Sequence, residues 1–368
     1  MGTTHITIDE YRAIRRNQVK QAVLCGPRRF EIRSEKAPIP GSGEALIRIG
    51  LVGICGSDMH LYRDGRIGEI CMDSAFVIGH ECMGTVEDVG PGEDSSWVGK
   101  RVAIEPALHC GLCEYCCAGH ANLCPRVAFL GLPPTSGAMT ELMTYPLHLL
   151  EPLSDTITDE GAVVLEPLAV ALHAIRLVKV QPGQTIVILG TGVLGTCVLS
   201  LLSLYRGVET LCVDILPDRL ARAEKLGASR TLLARAGDRK RIAGEIMELT
   251  RGRRAQVVFE CAGSEETLWN MAEVAAAGGH VAVIGTNPED RIGFASGSAR
   301  RKGLTFRFVR RSLNTLKPCI SLAEKGLISP GELVTHTFKA SQVGEAFEMV
   351  DRYEDGILKA VIDMTKWS

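Results

Sequence analysis

Three closely spaced glycines after a short apolar run limit the fold of this chain more than any other feature. The run Thr185-Ile-Val-Ile-Leu189 has the length and β-branched composition of a buried strand. Gly190-Thr-Gly192-Val-Leu194-Gly195 follows it and opens an apolar, helix-length segment. Such a turn lets the backbone reverse tightly, approach a pyrophosphate and pack the helix on the strand. The stretch therefore predicts a dinucleotide-binding βαβ unit.

The segments around this turn alternate between strand-like and helix-like patterns. From about residue 160, apolar runs such as ETLCVDI, AQVVFECAG and HVAVIG alternate with helix-length segments, an order typical of a doubly wound parallel sheet. Earlier residues show short apolar runs between Gly/Pro turns, and the tail from about residue 305 returns to mixed short elements. We therefore predict a β-rich domain, split into 1–166 and 308–368, with an α/β Rossmann domain inserted at 167–307.

The residue that ends the next strand predicts which dinucleotide is bound. Asp214 can accept hydrogen bonds from the adenosine ribose hydroxyls and would repel a 2′-phosphate. Neither Arg nor Lys directly follows it, so the sequence favours NAD over NADP. The sequence leaves two positions open for Arg219: over the face of the adenine ring, or exposed to solvent at the start of a helix. Ile284, Val309 and Arg310 complete the predicted cofactor-binding set.

Charge and hydropathy argue against nucleic-acid or membrane partners. The 368 residues carry 41 Lys and Arg against 43 Asp and Glu, without the positive field that such partners require. Residues 185–205 are uncharged and long enough to span a bilayer, but their three glycines favour a strand, a turn and a helix. The first 20 residues lack the apolar core of a secretory signal and predict an extension ahead of the first strand. We expect a cytoplasmic protein.

The 13 cysteines are an odd number, and their clustering suggests metal binding rather than disulfides. Four thiolates in one short loop can close a tetrahedral zinc site that stabilises a lobe without doing chemistry. The spacing C-x2-C-x2-C-x7-C is formed by Cys110, Cys113, Cys116 and Cys124. An iron–sulfur loop is the rival interpretation, but the fourth cysteine here comes after a gap of seven residues, whereas the bacterial ferredoxin run has a gap of three. Cys117 is an alternative to Cys116, which the position of Gly119 favours.

Two shorter motifs upstream add a second group of metal-ligating residues. They are Gly53-Ile-Cys55-Gly-Ser57-Asp58-Met-His60 and Gly79-His80-Glu81. Together with the glycine turn and the four-cysteine loop, they resemble the zinc-dependent medium-chain alcohol dehydrogenase family over essentially the whole chain. The runs HLYRDGRIG, RVAFLGLPP, LEPLAV and 301–310 are similar to its polyol (sorbitol and xylitol) dehydrogenase branch.

This resemblance implies a GroES-like catalytic domain with an inserted Rossmann domain, and two zinc ions in each chain. Cys55 and His80 would bind the catalytic zinc together with a carboxylate. Glu81 is the expected third ligand, narrowly ahead of Glu166, which would bind zinc directly or through water. Asp58 would orient His80 from behind.

The resemblance also implies how the reaction proceeds. A bound zinc lowers the pKa of a substrate hydroxyl. Ser57 would take its proton and His60 would pass it to water, while a hydride moves from a secondary alcohol to NAD and leaves a ketone. Glu166 would be a further catalytic residue beside Ser57 and His60. Phe129 and Arg310, with Ser57, are the expected substrate contacts.

Two departures from the polyol branch leave the substrate open. Leu61 stands where that branch has a tyrosine, and Arg310-Arg311 stands where it has an arginine followed by an aromatic residue. A basic side chain there either favours a more polar or anionic substrate or faces solvent. L-Threonine 3-dehydrogenase and aminocyclitol dehydrogenase remain alternatives, as does a zinc-stabilised scaffold without activity. The family resemblance further implies a homodimer or homotetramer joined edge to edge through the nucleotide-domain sheets.

Overall fold

The computed structural model describes residues 18–235, 237, 239–287 and 291–368. The predicted N-terminal extension covers residues 1–17 and so lies outside the described part of the chain. The described residues build two main sheets, one mixed and one entirely parallel. The split β-rich region supplies the mixed sheet, and the alternating central region supplies the parallel one, as the sequence predicts.

Residues 18–152 form a β-rich lobe, whose hydrophobic core is completed by residues from the tail of the chain. Its elements are β1 (Gln18–Gly26), β2 (Arg29–Lys36), β3 (Glu44–Gly53), α1 (Gly56–Asp64), β4 (Arg66–Ile67), β5 (Ile70–Cys71), β6 (Phe76–Val77), β7 (Glu81–Val89), β8 (Arg101–Ile104), β9 (Ala107–Leu108), α2 (Glu114–Cys117), β10 (Ala128–Phe129), β11 (Leu142–Pro146) and β12 (Leu150–Pro152). Alternation along β3 buries every second residue at its start, and the three strands that pair with β3, which are β7, β11 and the strand Lys359–Asp363 from the tail of the chain, are all antiparallel to it.

The remaining elements alternate helix and strand before the chain returns to the first lobe. They are α3 (Asp159–Val178), β13 (Thr185–Leu189), α4 (Val193–Leu202), β14 (Glu209–Asp214), α5 (Pro217–Lys225), β15 (Arg230–Leu233), α6 (Arg239–Leu249), β16 (Ala255–Glu260), α7 (Glu265–Val274), β17 (Ala275–Val283), α8 (Ser296–Lys302), β18 (Thr305–Phe308), α9 (Leu316–Glu324), β19 (Val334–Lys339), α10 (Val343–Arg352) and β20 (Lys359–Asp363).

The order of the parallel sheet places the glycine turn where a ligand binds in doubly wound folds. The six strands run β15-β14-β13-β16-β17-β18, so the order reverses direction between β13 and β16. Ligands of open α/β sheets bind beyond the carboxyl ends of the strands at such a reversal. The turn after β13 lies at that point, which confirms the predicted doubly wound fold.

The tail of the chain rejoins the first lobe. The mixed sheet has the order β12-β8-β7-β3-β20-β19, with β11 also paired to β3. Strand β20 is antiparallel to β3, and Val361 lies opposite Gly53. The last strands of the chain therefore complete the sheet that β3 and β7 form in the first lobe. The exact domain limits stay a prediction, and residue 166 falls inside helix α3.

Helix α3 is the one described helix long and apolar enough to cross a membrane by length and composition. It lies between the two lobes, and 83% of its most apolar stretch of 18 residues is buried inside the protein. The uncharged stretch at 185–205 instead forms β13, the glycine turn and α4, as predicted. Burial on all sides explains why α3 is apolar all round, since a core helix has no polar face.

Candidate active site

Strand register brings the two short metal-ligand motifs together. Cys55 caps the N-terminus of α1, two residues after β3 ends, while His80 directly precedes β7 and Glu81 is its first residue. Because Gly53 of β3 pairs with Glu81 of β7, the two motifs lie side by side. The ligand atoms of Cys55, His80 and Glu81 all lie within 4.8 Å of one another, and we call these three residues the catalytic metal group. A thiolate, an imidazole and a carboxylate at this spacing form a donor set that suits zinc.

Unpartnered polar atoms beside this group fit a bound cation. Asp58 Oδ2 accepts the backbone N–H of Cys55 at 3.0 Å, but Asp58 Oδ1 has no hydrogen-bond partner among the described residues. It lies 3.6 Å from His80 Nδ1, which is also unpartnered. Burial opposes protonation of His80, but the Asp58 and Cys55 charges outweigh it and raise its pKa. Buried groups that attract a proton so strongly are suited to a metal ion, so the residues present fit zinc.

Lys359 is a member of this site that the sequence reasoning missed. Its side chain is fully buried and forms an ion pair with Glu81 Oε2. Its Nζ also donates to the Ile54 carbonyl at 3.0 Å, and burial lowers the Lys359 pKa to about 8. A Cβ on Gly53 would come within 2.7 Å of both Glu81 Oε2 and Lys359 Cε, so this close packing requires glycine. The available signal was a lysine inside the apolar run ILKAVID.

Glu166 lies near the catalytic metal group without being one of its three members. It is buried in the middle of α3, and burial raises its pKa. The charges of His80, Asp58 and Arg311 also act on the pKa of Glu166. This placement is consistent with Glu81 as the third ligand and Glu166 as a neighbouring group, and both assignments stay predictions.

Phe129 and an arginine form one wall beside the catalytic metal group. The ring centres of Phe129 and His80 are 5.1 Å apart in an edge-on arrangement. Arg311, not Arg310, lies over the Phe129 ring at 4.1 Å, with its Nη1 buried and unpartnered. Arg310 is exposed and exchanges two hydrogen bonds with the backbone and side chain of Asn122. The sequence reasoning chose the first arginine of the pair; the structure brings the second one to the wall.

Ser57 and His60 both lie on α1, immediately after the metal-ligating cysteine. Each is half-buried, which leaves the side chain able to meet a ligand in the cleft. Burial lowers the pKa of His60, while the nearby Thr286 carbonyl of the parallel-sheet lobe opposes that shift. A neutral imidazole that reaches between the lobes can accept a proton and pass it on. The predicted relay through Ser57 and His60 is consistent with this placement.

Glu105 is a second carboxyl group near the site that the sequence did not reveal. It receives the Ser312 hydroxyl at 3.3 Å, next to Arg311 in sequence. Burial and the neighbouring Glu166 raise the pKa of Glu105 to about 7. The group therefore changes charge near neutral pH without belonging to the catalytic metal group.

The glycine turn has the close backbone contacts that its motif requires. Gly190 has φ +91°, and its N–H donates to the Val213 carbonyl at 2.8 Å. A Cβ on Gly195 would lie 1.9 Å from the Gly190 carbonyl oxygen, so α4 can pack here only with glycine. Gly192 is the N-terminal cap of α4, whose unpaired N–H groups and positive dipole end favour phosphate.

The other predicted cofactor residues surround this turn at the carboxyl ends of the strands. Asp214 ends β14; its Oδ2 accepts the Thr191 N–H and hydroxyl at 2.7 and 3.0 Å, and its Oδ1 accepts the Leu216 N–H at 3.0 Å. The remaining predicted residues lie in α4, in the first turn of α5, after β17 and after β18, and are Leu194, Arg219, Ile284 and Val309. The structure thus gathers the predicted residues at one edge of the sheet.

The four-cysteine loop folds into a compact thiol group around α2. Sulfur–sulfur distances are 3.5 Å for Cys110–Cys124 and Cys113–Cys116, and 3.9 Å for Cys110–Cys116. Cys117 is exposed and directs its thiol toward the Leu112 carbonyl instead. The same four residues form the second group able to hold a metal ion, which agrees with the choice of Cys116.

Comparison with known proteins decides the family. Residues 41–155 match the alcohol dehydrogenase GroES-like domain, and residues 193–325 match the zinc-binding dehydrogenase domain. Sorbitol dehydrogenase of Bacillus subtilis (strain 168) is 33% identical over 346 residues, which cover 94% of this chain and 97% of that protein. The chain belongs to the zinc-dependent alcohol dehydrogenase family.

Further relatives place this zinc-dependent alcohol dehydrogenase in the polyol branch. L-idonate 5-dehydrogenase of Vitis vinifera is 32% identical over 89% of this chain and 90% of that protein. An Escherichia coli oxidoreductase/dehydrogenase of unknown specificity has a TM-score of 0.87 and 33% identity, covering 94% of this chain and 99% of that one. An E. coli alcohol dehydrogenase in complex with NADH has a TM-score of 0.84 and 26% identity over the same shares.

Family membership confirms the resemblance, the fold class and the enzyme class. This zinc-dependent alcohol dehydrogenase is an oxidoreductase acting on CH–OH donors, with zinc, a nicotinamide dinucleotide and a small-molecule substrate as its partners. The catalytically inactive scaffold is therefore not favoured. The roles of the individual residues stay predictions, and the geometry of the site names the atoms that each role would involve.

Proposed function

We propose that the enzyme oxidises a secondary alcohol of a polyol or cyclitol to the ketone with NAD as hydride acceptor. The observation that carries this proposal is the catalytic metal group, Cys55, His80 and Glu81. Buried polar atoms of this site have no hydrogen-bond partner among the described residues, and the same chain carries the dinucleotide turn. Relatives named sorbitol dehydrogenase and L-idonate 5-dehydrogenase both oxidise hydroxylated chains and support the substrate class.

The residues of the chain then have distinct roles. Bound zinc and NAD supply a Lewis acid and a hydride acceptor. Cys55, His80 and Glu81 hold the metal, and Asp58 orients the His80 ring. Ser57 takes the proton of the substrate hydroxyl, and His60 passes it to water. Lys359 balances the buried charge of Glu81.

The wall beside the catalytic metal group suits a substrate rich in oxygen. Arg311 offers a buried, unpartnered N–H next to Phe129, and Glu166 is buried nearby. Hydrogen bonds to several hydroxyls discriminate strongly, because a substrate that lacks one leaves buried polar groups unpaired. L-Threonine and aminocyclitols are the competing substrates that a panel must include.

NAD rather than NADP is proposed because of the groups at the end of β14. The Asp214 carboxylate is fixed by three hydrogen bonds, so it cannot turn away from a ribose 2′-phosphate. Ile215 follows it and is exposed, where an NADP enzyme would place a cation. The E. coli relative in complex with NADH is consistent with this choice.

Cytoplasmic location and assembly into a homodimer or homotetramer complete the proposal. The outer edge of the parallel sheet supports assembly, because β18 pairs only with β17 in the described structure and Phe308 is 65% exposed on it. An edge strand with an exposed aromatic residue is a template for pairing with a second copy.

Metal counting combined with a substrate screen tests the proposed function. We expect two zinc ions per chain and NAD reduction, followed by near-ultraviolet absorbance, with sugar alcohols or cyclitols. Less than two zinc ions and no reduction of NAD or NADP by any sugar alcohol, cyclitol or L-threonine would contradict the proposal. Faster reduction of NADP than of NAD would contradict the cofactor assignment alone.

Cys55→Ser separates the catalytic metal from the rest of the enzyme. We expect the zinc content to fall by one ion per chain and turnover to be lost, since a hydroxyl is a poor zinc ligand. NADH binding should stay within about twofold, because the glycine turn lies on the other lobe. Cys71→Ser is the matched control, because Cys71 is exposed and belongs neither to the catalytic metal group nor to the four-cysteine loop. This variant should keep the activity and both zinc ions.

A further inference from the structure

Arg219 bridges the two parts of the predicted cofactor site. It lies in the first turn of α5, with Nη1 3.9 Å from Asp214 Oδ2. A Cβ on Gly192 would lie 3.4 Å from the same Nη1. The guanidinium therefore extends from the carboxylate that faces the ribose to the glycine turn that faces the phosphates. Its position is that of the adenosine half of a dinucleotide.

The other lobe holds this guanidinium in place. Tyr353 directly follows α10, and the Arg219 guanidinium carbon lies 4.9 Å from the centre of its ring. A planar guanidinium over an aromatic face is stabilised by cation–π attraction. The next strand, β20, begins with Lys359, the partner of Glu81. The same segment therefore contacts both Arg219 and the catalytic metal group.

The turn that presents Tyr353 has an unusual backbone. Tyr353 and Asp355 have φ of +54° and +53°, in the left-handed region that favours glycine. Such a conformation is strained for a residue other than glycine and persists only where its surroundings determine it. His336 Nε2 lies 3.2 Å from Asp355 Oδ2 and anchors the turn from β19. The conformation keeps the Tyr353 ring against Arg219.

Arg219 still has donors and one face available. Its Nε is buried and has no hydrogen-bond partner among the described residues, and the 3.9 Å contact to Asp214 is longer than a hydrogen bond. Tyr353 covers one face of the guanidinium. Phosphate oxygens or a ribose hydroxyl can accept from the free donors, and a flat base can stack on the open face.

We propose that Tyr353 is a positioning residue for the cofactor: it packs against the Arg219 guanidinium from the catalytic lobe and holds it toward the adenosine half of the dinucleotide. This inference rests on the proposed function only in that the cofactor is NAD. It adds a contribution from the tail of the chain to a site otherwise built by the Rossmann domain.

Binding measurements on the zinc-loaded enzyme test this role without relying on turnover. We expect Tyr353→Leu to weaken NADH binding by about two- to fivefold, the range for one cation–π contact at a partly exposed site. ADP-ribose, which carries the adenosine half, should lose the same factor. Nicotinamide mononucleotide, which lacks that half, should bind as it does to the unaltered enzyme. Tyr353→Phe keeps the ring and should restore NADH binding.

A double variant separates positioning from a general loss of structure. Once Arg219→Ala has removed the guanidinium, adding Tyr353→Leu should weaken NADH binding no further. Equal losses for ADP-ribose and nicotinamide mononucleotide, additive losses in the double variant, or wild-type affinity of Tyr353→Leu would each overturn the proposal. Tyr353→Met, a second variant without a ring, is measured with thermal denaturation to confirm a native fold. Failure of the unaltered enzyme to bind NADH or NADPH would instead contradict the proposed function.

Discussion

Lys359 illustrates how individual buried charges shape the catalytic metal group. The lysine and Glu81 are both almost completely buried, and each is the other's ion-pair partner. Removing one member of a buried pair typically costs about 3–5 kcal/mol, because the remaining charge stays in a medium of low dielectric constant. The pair therefore fixes the Glu81 carboxylate beside Cys55 and His80.

Glu105 gives a stability prediction with a definite sign. Its pKa is raised from 4.5 to about 7 in the fold, so the folded state holds a proton that the unfolded state releases. Its contribution is fully present below about pH 4.5 and is lost as the pH rises through about 7. The loss is on the order of 3 kcal/mol. Glu105→Gln cannot lose this proton, so its free energy of unfolding should exceed that of the unaltered protein at about pH 8 but not at about pH 4.5.

Urea denaturation of the metal-free protein at both pH values measures this effect. Glu324→Gln, at the exposed end of α9, is the matched control and should follow the unaltered protein at each pH. If Glu105→Gln and the unaltered protein lose stability equally between the two pH values, Glu105 does not stay protonated in the fold.

At the scale of elements, packing between a strand and the next helix forms the dinucleotide turn. Helix α4 starts only three residues after Gly190, and the Gly190 carbonyl lies against Gly195 in its first turn. Likewise, pairing of β3 with β7 aligns Gly53 with Glu81 and so joins two motifs that are distant in sequence. In both cases a glycine is needed because two backbones, or a backbone and a buried ion pair, approach too closely for a side chain.

Gly195→Ala tests the first of these close contacts. The added Cβ would lie 1.9 Å from the Gly190 carbonyl oxygen, so α4 must shift away from β13. We expect NADH binding to weaken at least tenfold and the melting temperature to fall by several degrees, as for overpacking that costs about 1–3 kcal/mol. The matched control is Gly244→Ala in α6, where a Cβ meets nothing within 4 Å. This variant should be as stable as the unaltered protein or slightly more so, since alanine favours helix. Unchanged NADH affinity in Gly195→Ala would mean that the turn does not cradle the cofactor.

At the scale of the whole molecule, the chain leaves its first lobe, builds the parallel sheet and returns. Strands β19 and β20 complete the sheet that β3 and β7 began, and the turn before β20 carries Tyr353 to the nucleotide side. Helix α3 lies buried between the lobes and packs against both. The cofactor and metal sites are therefore parts of one structure rather than separate modules.

The exposed edge of the parallel sheet predicts how copies associate. Phe308→Glu on β18 should convert a dimer or tetramer into smaller species, because a buried charge without a partner is costly at an interface. Leu233→Glu on β15, the opposite edge, is the matched control, since Leu233 is also exposed on an edge strand. Light scattering after size-exclusion chromatography measures both masses. Assembly that survives Phe308→Glu but not Leu233→Glu would place the interface at the other edge.

Local patterns in the sequence were enough to predict much of this enzyme. Glycine spacing after an apolar strand predicted the Rossmann fold, since backbone geometry there depends on adjacent residues alone. Four cysteines within one loop predicted a metal site for the same reason. The uncharged stretch at 185–205 resolved correctly into strand, turn and helix. Three glycines within six residues were enough to predict the turn between the strand and the helix.

Only the tertiary structure decided which distant residues meet. Lys359 lies far along the chain from Glu81, and β20 brings them together only by pairing with β3. Arg311, whose backbone is left-handed, rather than Arg310 lies over the Phe129 ring in the folded chain. Tyr353 reaches Arg219 across two lobes. Sequence determined the local geometry of each motif, whereas long-range packing determined which charges and rings became neighbours, because burial and pairing depend on the assembled fold.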